Sequence, residues 1–325
     1  MAEQNRKELE NVMAARSRRG LELHGGRLLS LFKTKVKGPE VLRQFVFVGP
    51  AALLFLIAVA VPFVLGVYYS MTDWNGISKT HSFIGLQNYI QIFSDDAKFL
   101  RSFWFTVRIS VVITVLMNVL GFLVALLLMN PFRFRNGLRT SFFMPNVLGG
   151  LVLGFIWQFI FTKGFEALGA STGWSLFQIP WLATESTAFW AVVLVTVWQG
   201  MGYVMVIYIA GLSNIPAELK EAARVDGANK WVMLSRITFP LIMSSITICL
   251  FWSINVTLKI FDVNISLTNG GPFGTTESVT LNLYYSAFRD NFLGVGSAKA
   301  VIFFLIVVLI TSVQVYFTKR KEVEA

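Results

Sequence analysis

"EAARVDGANKWVMLSRITFP", residues 221–240, sets Glu221, Arg224, Asp226, Lys230 and Arg236 between two stretches as apolar as lipid, 188–212 and 240–262. Those neighbours decide the class of fold. About 20 apolar residues in helical form cross the ~30 Å hydrocarbon core of a bilayer. Such stretches lie near 45–69, 106–129, 142–162, 188–212, 240–262 and 298–318, with Arg108, Lys259, Asp262 and Lys299 falling toward their ends. Helices are the predicted form, because lipid offers backbone groups no hydrogen-bond partner. The ten-residue alternation of a barrel strand is not seen.

Composition leads to the same class. Soluble domains carry about 25% charged residues, whereas this chain of 325 residues has 14%, with 55% hydrophobic residues and a mean hydropathy of +0.62. The reading is an all-α integral membrane protein with six transmembrane helices.

A formal charge of +10 raises the question of nucleic acid, and its placement answers against that. Ten Lys or Arg precede Phe45, three lie at 133–139, four at 220–236 and three at 319–321. The opposite side holds Lys79, Lys98, Arg101, Lys163 and Arg289. The positive-inside rule then predicts that both termini and the quoted loop are cytoplasmic, as an even number of spans requires. The domain reading is a basic N-terminal segment 1–44, a six-helix domain 45–318 with the loop 213–240 inside it, and a tail 319–325.

The first 44 residues show no apolar region followed by a small-residue cleavage site, so the first span is expected to act as the insertion signal. Leu28, Leu29, Leu31 and Phe32, followed by Lys33, Lys35 and Lys37, fit either a short helix on the inner leaflet or a basic tail without fixed structure. Cys249, alone in the sequence, excludes an internal disulfide and reads as core. His24 and His81 fall on opposite sides and share no metal.

Pro50, Pro62 and Gly66 break up the first span, and Trp74, Phe83, Tyr89, Phe93 and Trp104 are expected at headgroup level. Gly150 and Gly154 have the spacing that lets helices approach closely. Asn269 to Pro272 are turn residues. Leu281, Tyr284, Tyr285 and Phe288 recur at i, i+3, i+4, i+7 and predict one helix face, either a docking surface or interfacial packing. Lys259 and Asp262, three apart, are expected to neutralise each other or to reach toward the interface.

The loop itself reads as two helices with an elbow. Ser213 or Asn214 suits a cap, Pro216 a first turn, and Glu218 and Glu221 the positive end of a helix over 216–226, about 16 Å long. Gly227 permits the turn after Asp226, and a second helix is predicted from Asn229. Leu219, Ala222 and Ala223 form a shallow side that another backbone can approach. Taken alone, this is also an ordinary charged cytoplasmic loop.

The spacing Glu-Ala-Ala, three residues, Gly227, nine residues, Ile237, one residue, Phe239-Pro240 resembles the EAA signature of permease subunits in binding-protein-dependent ABC importers. It departs only at Phe239, where the family has Leu. "FDVNISLTNGGP" and "FIGLQNYIQIF" resemble sugar permeases of the maltose type, and the likeness runs from about Phe45 to the end of the sixth span.

What this resemblance implies is a type I ABC importer permease with Glu221, Ala222, Ala223, Asp226 and Gly227 in the element that couples it to a cytoplasmic ATPase. Glu221 would meet a basic residue, the alanines would fill a cleft, and Gly227 would hold the elbow. The sequence has no G-x-x-x-x-G-K-[ST] loop; no cofactor is expected on this chain, with ATP and Mg on partner subunits. The implied partners are a second homologous permease, two ATP-binding subunits and an extracytoplasmic solute-binding protein, in a bacterial inner membrane.

For the substrate, Ser253, Val256, Thr257 and Ile260 share a mixed polar and apolar face at i, i+3, i+4, i+7. The resemblance places the sugar-lining face there, and places Gln199, Gly200 and Tyr203 on the same cavity, Gly200 letting a sugar ring near the backbone. Thr257 stands where the family has Asn. Polar residues on membrane helices also serve as interhelical ties, and that reading stays open for each. Lys259 leaves room for a glycerophosphodiester, sugar phosphate or acidic saccharide. An ion-driven secondary carrier is the rival class, and it calls for an acidic residue deep in a span, which the sequence lacks beyond Asp262.

Overall fold

The computed structural model describes residues 38–131, 133–320 and 322. The expectations for residues 1–37, including the inner-leaflet helix, and for the last three residues lie outside them. Among the described residues the chain is helical without strands, apart from an isolated antiparallel bridge between Thr72 and Phe83. Five helices are long and apolar enough to cross a membrane: Val46–Tyr69, Ala97–Met129, Gly150–Thr172, Glu185–Ser213 and Leu293–Lys319. A sixth span is a pair, Lys230–Leu241 and Met243–Leu258, bent by 71°.

Two compact units are distinguished, one ending at Val64 and one beginning at Leu65. In the first, the helix Gly38–Phe55 passes into a π-helical stretch, Leu56–Ala60. Pro62 follows directly; it has no N–H to give and its ring crowds the preceding turn, so the wider turn accommodates it.

In the second unit the core forms where the helices Ala97–Met129 and Glu185–Ser213 pack together, burying Ile109, Ile113, Met117, Val192, Val204 and Met205. Polar ties cross this core. Tyr208 Oη donates to Asn118 Oδ1 at 2.9 Å, Asn118 Nδ2 donates to Ser253 Oγ at 3.0 Å, and the Thr114 and Thr257 hydroxyls lie 3.2 Å apart. They join the second, fourth and fifth spans where no water is at hand to replace them. Asn118→Leu is expected to lower stability by about 1–3 kcal/mol, because it leaves the Tyr208 hydroxyl buried without its acceptor. Thermal unfolding in detergent checks this.

Two spans differ from the sequence reading. The third was expected over 142–162, but 142–147 belongs to a separate helix, Arg135–Val147, which carries Pro145 inside it. Leu148 and Gly149 are extended, and a new helix starts at Gly150. Membrane helices tolerate such a break when a side chain satisfies the freed carbonyl, and Gln199 Nε2 donates to the Leu148 carbonyl at 3.1 Å. The fifth span bends at Ile242, just after Pro240, and stops at Leu258 rather than at 262.

Beyond that stop, the short helix Asp262–Leu267 packs on the third span. Gly150 and Gly154 make the contact possible: a Cβ on Gly150 would stand 2.7 Å from Asp262 Cβ, and one on Gly154 would overlap the Ser266 hydroxyl. The small-residue spacing therefore serves close packing. The predicted face 281–288 is divided instead, with Leu281 and Tyr285 buried and Tyr284 and Phe288 exposed. The helix Val279–Tyr284 opens into a π-helical stretch, Tyr285–Arg289, which shifts the register by which residues share a side.

Candidate translocation path and coupling loop

A cavity of about 270 Å³ lies where the fourth and fifth spans meet the break in the third. Gln199, Gly200, Val256, Lys259 and Ile260 line it, as the sequence reading placed them. Tyr203, Ser253 and Thr257 do not. Ser253 and Thr257 are 0% exposed, their hydroxyls engaged by Asn118 and Thr114, and so they act as ties between helices. Tyr203 lies against Trp252, with ring centroids 4.3 Å apart and ring planes tilted by 31°.

The lining face of the fifth span is therefore Trp252, Val256 and Lys259, offset from the predicted set. Packing of Ser253 and Thr257 onto the second span sets this rotation. At Gly200, on the cavity wall, a Cβ would also overlap the Met117 methyl and come within 2.8 Å of its sulfur, so the missing side chain makes room for Met117 as well. Lys259 and Asp262 form no ion pair, because the helix ends between them; Lys259 Nζ donates to Asn255 Oδ1 at 3.3 Å, and both charged side chains are exposed.

Sequence reasoning missed Thr196 and Asn146, which line the same cavity. Thr196 is 4% exposed, and among the described residues its hydroxyl has no hydrogen-bond partner. A buried hydroxyl left unpaired costs about 1–3 kcal/mol. Its spacing held the only signal available, since Thr196 precedes Gly200 by one helical turn.

The loop 213–240 adopts the predicted elbow. The first helix is Ala217–Val225 with Pro216 at its N-cap; Ser213 ends the fourth span and Asn214 caps it, so neither caps the loop helix. Gly227 takes φ +80°. Its N–H donates to the Arg224 carbonyl at 3.1 Å, and the Ala228 N–H donates to the Ala223 carbonyl at 2.9 Å. These two bonds are the Schellman closure of a helix, which needs a left-handed residue where Gly227 stands. Asn229 then caps the next helix, its Oδ1 accepting from the Val232 N–H at 2.8 Å.

The expected shallow side is divided. Ala223 is buried within the chain, while Leu219 and Ala222 are exposed together with Val225 at 88% and Trp231 at 72%. Glu221, Asp226 and Gly227 are exposed as well, and among the described residues Glu221 and Asp226 make no ion pair.

An all-helical membrane bundle with a polar half-cavity and a charged elbow between two spans is the architecture of a transport permease. Residues 117–323 match the family model described as "Binding-protein-dependent transport system inner membrane component", and the chain belongs to that family. It is 46% identical over 282 residues to the "Probable starch degradation products transport system permease protein AmyD" of Thermoanaerobacterium thermosulfurigenes, covering 86% of this chain and 95% of the relative. It is 32% identical over 262 residues to the "Multiple sugar-binding transport system permease protein MsmF" of Streptococcus mutans, covering 81% and 90%. A solved bacterial ABC transporter involved in the import of the acidic polysaccharide alginate shares the fold, with a TM-score of 0.76 at 19% identity over 90% of this chain and 99% of that one. The chain is an integral membrane permease subunit of an ABC importer.

Proposed function

We propose that the chain forms half of the translocation path for a saccharide in the bacterial inner membrane, with both termini cytoplasmic, and that it pairs with a second homologous permease. Two ATP-binding subunits hold ATP and Mg beneath it. A solute-binding protein delivers the sugar from outside. The observation that carries this reading is the cavity of about 270 Å³ with Asn146, Gln199 and Lys259 on its wall, since a saccharide offers hydroxyls to such polar groups. The sugar systems named for two relatives support it.

Glu221, Ala222, Asp226 and Gly227 form the coupling surface, and Glu221 meets a basic residue of the ATPase. Ala223 holds that helix to its own chain. Gln199, Gly200, Val256, Lys259 and Ile260 line the path, with Tyr203, Ser253 and Thr257 fixing the helices behind it. Lys259 is exposed in the cavity and among the described residues bonds the neutral Asn255 and no carboxylate, and this favours as a second reading an acidic saccharide, a sugar phosphate or a glycerophosphodiester.

Reconstitution of the chain with its partner permease, ATPase and binding protein is expected to give ATP-dependent saccharide uptake. Concentration of solute by purified chain in the absence of any nucleotide hydrolase would overturn the reading and favour an ion-driven carrier. In the same vesicles Asn146→Leu, which keeps the size and removes the amide from the cavity wall, is expected to lower uptake at limiting substrate about fivefold, the loss of one hydrogen bond. Basal ATP hydrolysis should be unchanged.

A further inference from the structure

A second cavity, of about 450 Å³, opens among residues 72–98, 277–290 and 292–299. In the importer reading above this is the extracytoplasmic side. Its floor is Lys299, which lies on the sixth span and is 3% exposed. Lys299 Nζ reaches Asp96 Oδ2 at 2.6 Å, Asn282 Oδ1 at 2.9 Å and Ser286 Oγ at 2.8 Å. An ammonium has three protons to donate, so this lysine has none left for a guest. Asp96 is equally engaged, because its Oδ1 accepts from the Phe99 N–H at 2.8 Å.

At the rim, Arg289 pairs with Asp290 at 2.9 Å and lies over the Tyr285 ring, 3.9 Å from its centroid. The hydrogen bond from Arg289 holds the Asp290 carboxyl below the usual carboxylate range. Glu277 is different. Its Oε1 accepts from Asn282 Nδ2 at 2.6 Å and from the Ser102 hydroxyl at 3.4 Å, both neutral donors. Among the described residues no Lys or Arg stands within ion-pair distance of it.

Four carboxylates and three cations line the cavity; among the described residues Asp73, Glu277 and Lys98 make no ion pair, and of the two carboxylates Asp73 is exposed whereas Glu277, aimed by Asn282, is half-buried. A half-buried carboxylate without a counter-ion gains from an incoming cation. The described residues hold no group of three His, Cys, Asp or Glu for a metal ion. Trp74 and Phe292 on the walls suit the flat face of a guanidinium better than a compact ammonium.

We propose that this cavity receives an arginine side chain of the solute-binding protein, with Glu277 as its counter-ion. The inference rests on the importer reading and adds to it a specific point of contact on this chain. A partly desolvated interfacial pair governs how tightly the partners hold each other, so the effect belongs to docking and leaves the chemistry of the motor unchanged.

The test uses the complete transporter in vesicles, with its substrate-loaded binding protein titrated against ATP hydrolysis. Glu277→Gln keeps the acceptor for Asn282 and removes the charge. It is expected to raise the half-saturating binding-protein concentration about tenfold and to flatten its dependence on salt, with basal hydrolysis and the maximal rate unchanged. Glu277→Asp should stay near wild type. Millimolar N-acetylarginine amide should raise the wild-type half-saturation, whereas the neutral citrulline analogue should not; this arm decides the question even if Glu277→Gln fails to reach the membrane. Stimulation of the wild type with an unmoved half-saturation in Glu277→Gln, or equal effects of the two analogues, would overturn the proposal alone. A wild type that no binding protein stimulates overturns the importer reading and this proposal together.

Discussion

Gly227→Pro is expected to abolish uptake while leaving the protein inserted in the membrane at normal amounts. The backbone at 227 has φ +80°, and proline is confined to about −65°. The substitution also deletes the N–H that donates to the Arg224 carbonyl. Both requirements of the Schellman closure fail at once, and the neighbouring bond from Ala228 to Ala223 depends on the same geometry. The helix Ala217–Val225 then loses its fixed angle to the one that Asn229 starts, and Glu221 and Ala222 no longer present a constant surface to the proposed ATPase partner. The spans themselves do not pass through residue 227, so insertion persists. Gly227→Ala separates backbone geometry from bulk: nothing stands within 4 Å of a Cβ there, so its only cost is the left-handed conformation, about 1–2 kcal/mol, and reduced but measurable uptake is expected. Uptake per molecule by Gly227→Pro equal to wild type would show that the elbow transmits no motion. Glu221→Lys is the companion measurement, in which the elbow stays intact and the charge is reversed.

That elbow was legible because everything that makes it is local. A helix cap, a glycine and a second cap sit within a dozen residues, and turn chemistry needs no tertiary partner to be read. The spans were legible for the same reason, through runs of apolar residues. The break in the third span was not. Pro145 and Gly149 suggest it, but whether a membrane helix continues past such residues depends on who satisfies the freed carbonyl, and Gln199 lies on another helix. The cavity-lining face of the fifth span was read one step off because Ser253 and Thr257 have the right spacing for a lining and also for a tie; Asn118 and Thr114, far away in sequence, decide it. Thr196 escaped notice because a threonine in an apolar helix most often bonds its own backbone, and only the packed structure shows that this one does not. The face 281–288 failed because a π-helical stretch changes the period on which the pattern was counted.

Lys299→Met should destabilise the protein by about 3 kcal/mol, the low end for breaking a buried ion pair. The low end applies because the Asp96 side chain keeps 21% of its surface in solvent and so is partly hydrated once its partner is gone. The penalty is the carboxylate left behind. Asp96 also caps the second span through the Phe99 N–H, so it cannot swing outward without opening that helix end. Lys299→Met with Asp96→Asn removes both charges and keeps a side-chain oxygen for the cap, and it is expected to recover most of the loss. Recovery in the double variant, measured by thermal unfolding in detergent, identifies the charge as the cause; equal instability of the single and double variants would assign it to lost bonds with Asn282 and Ser286. An ionisable side chain in an apolar span marks a place where a partner must exist, and here the partner is the first turn of the second span. The tie fixes Asn282, Asn282 aims Glu277, and the Leu293 end of the sixth span is thereby held to the surface on which the proposed arginine contact is made.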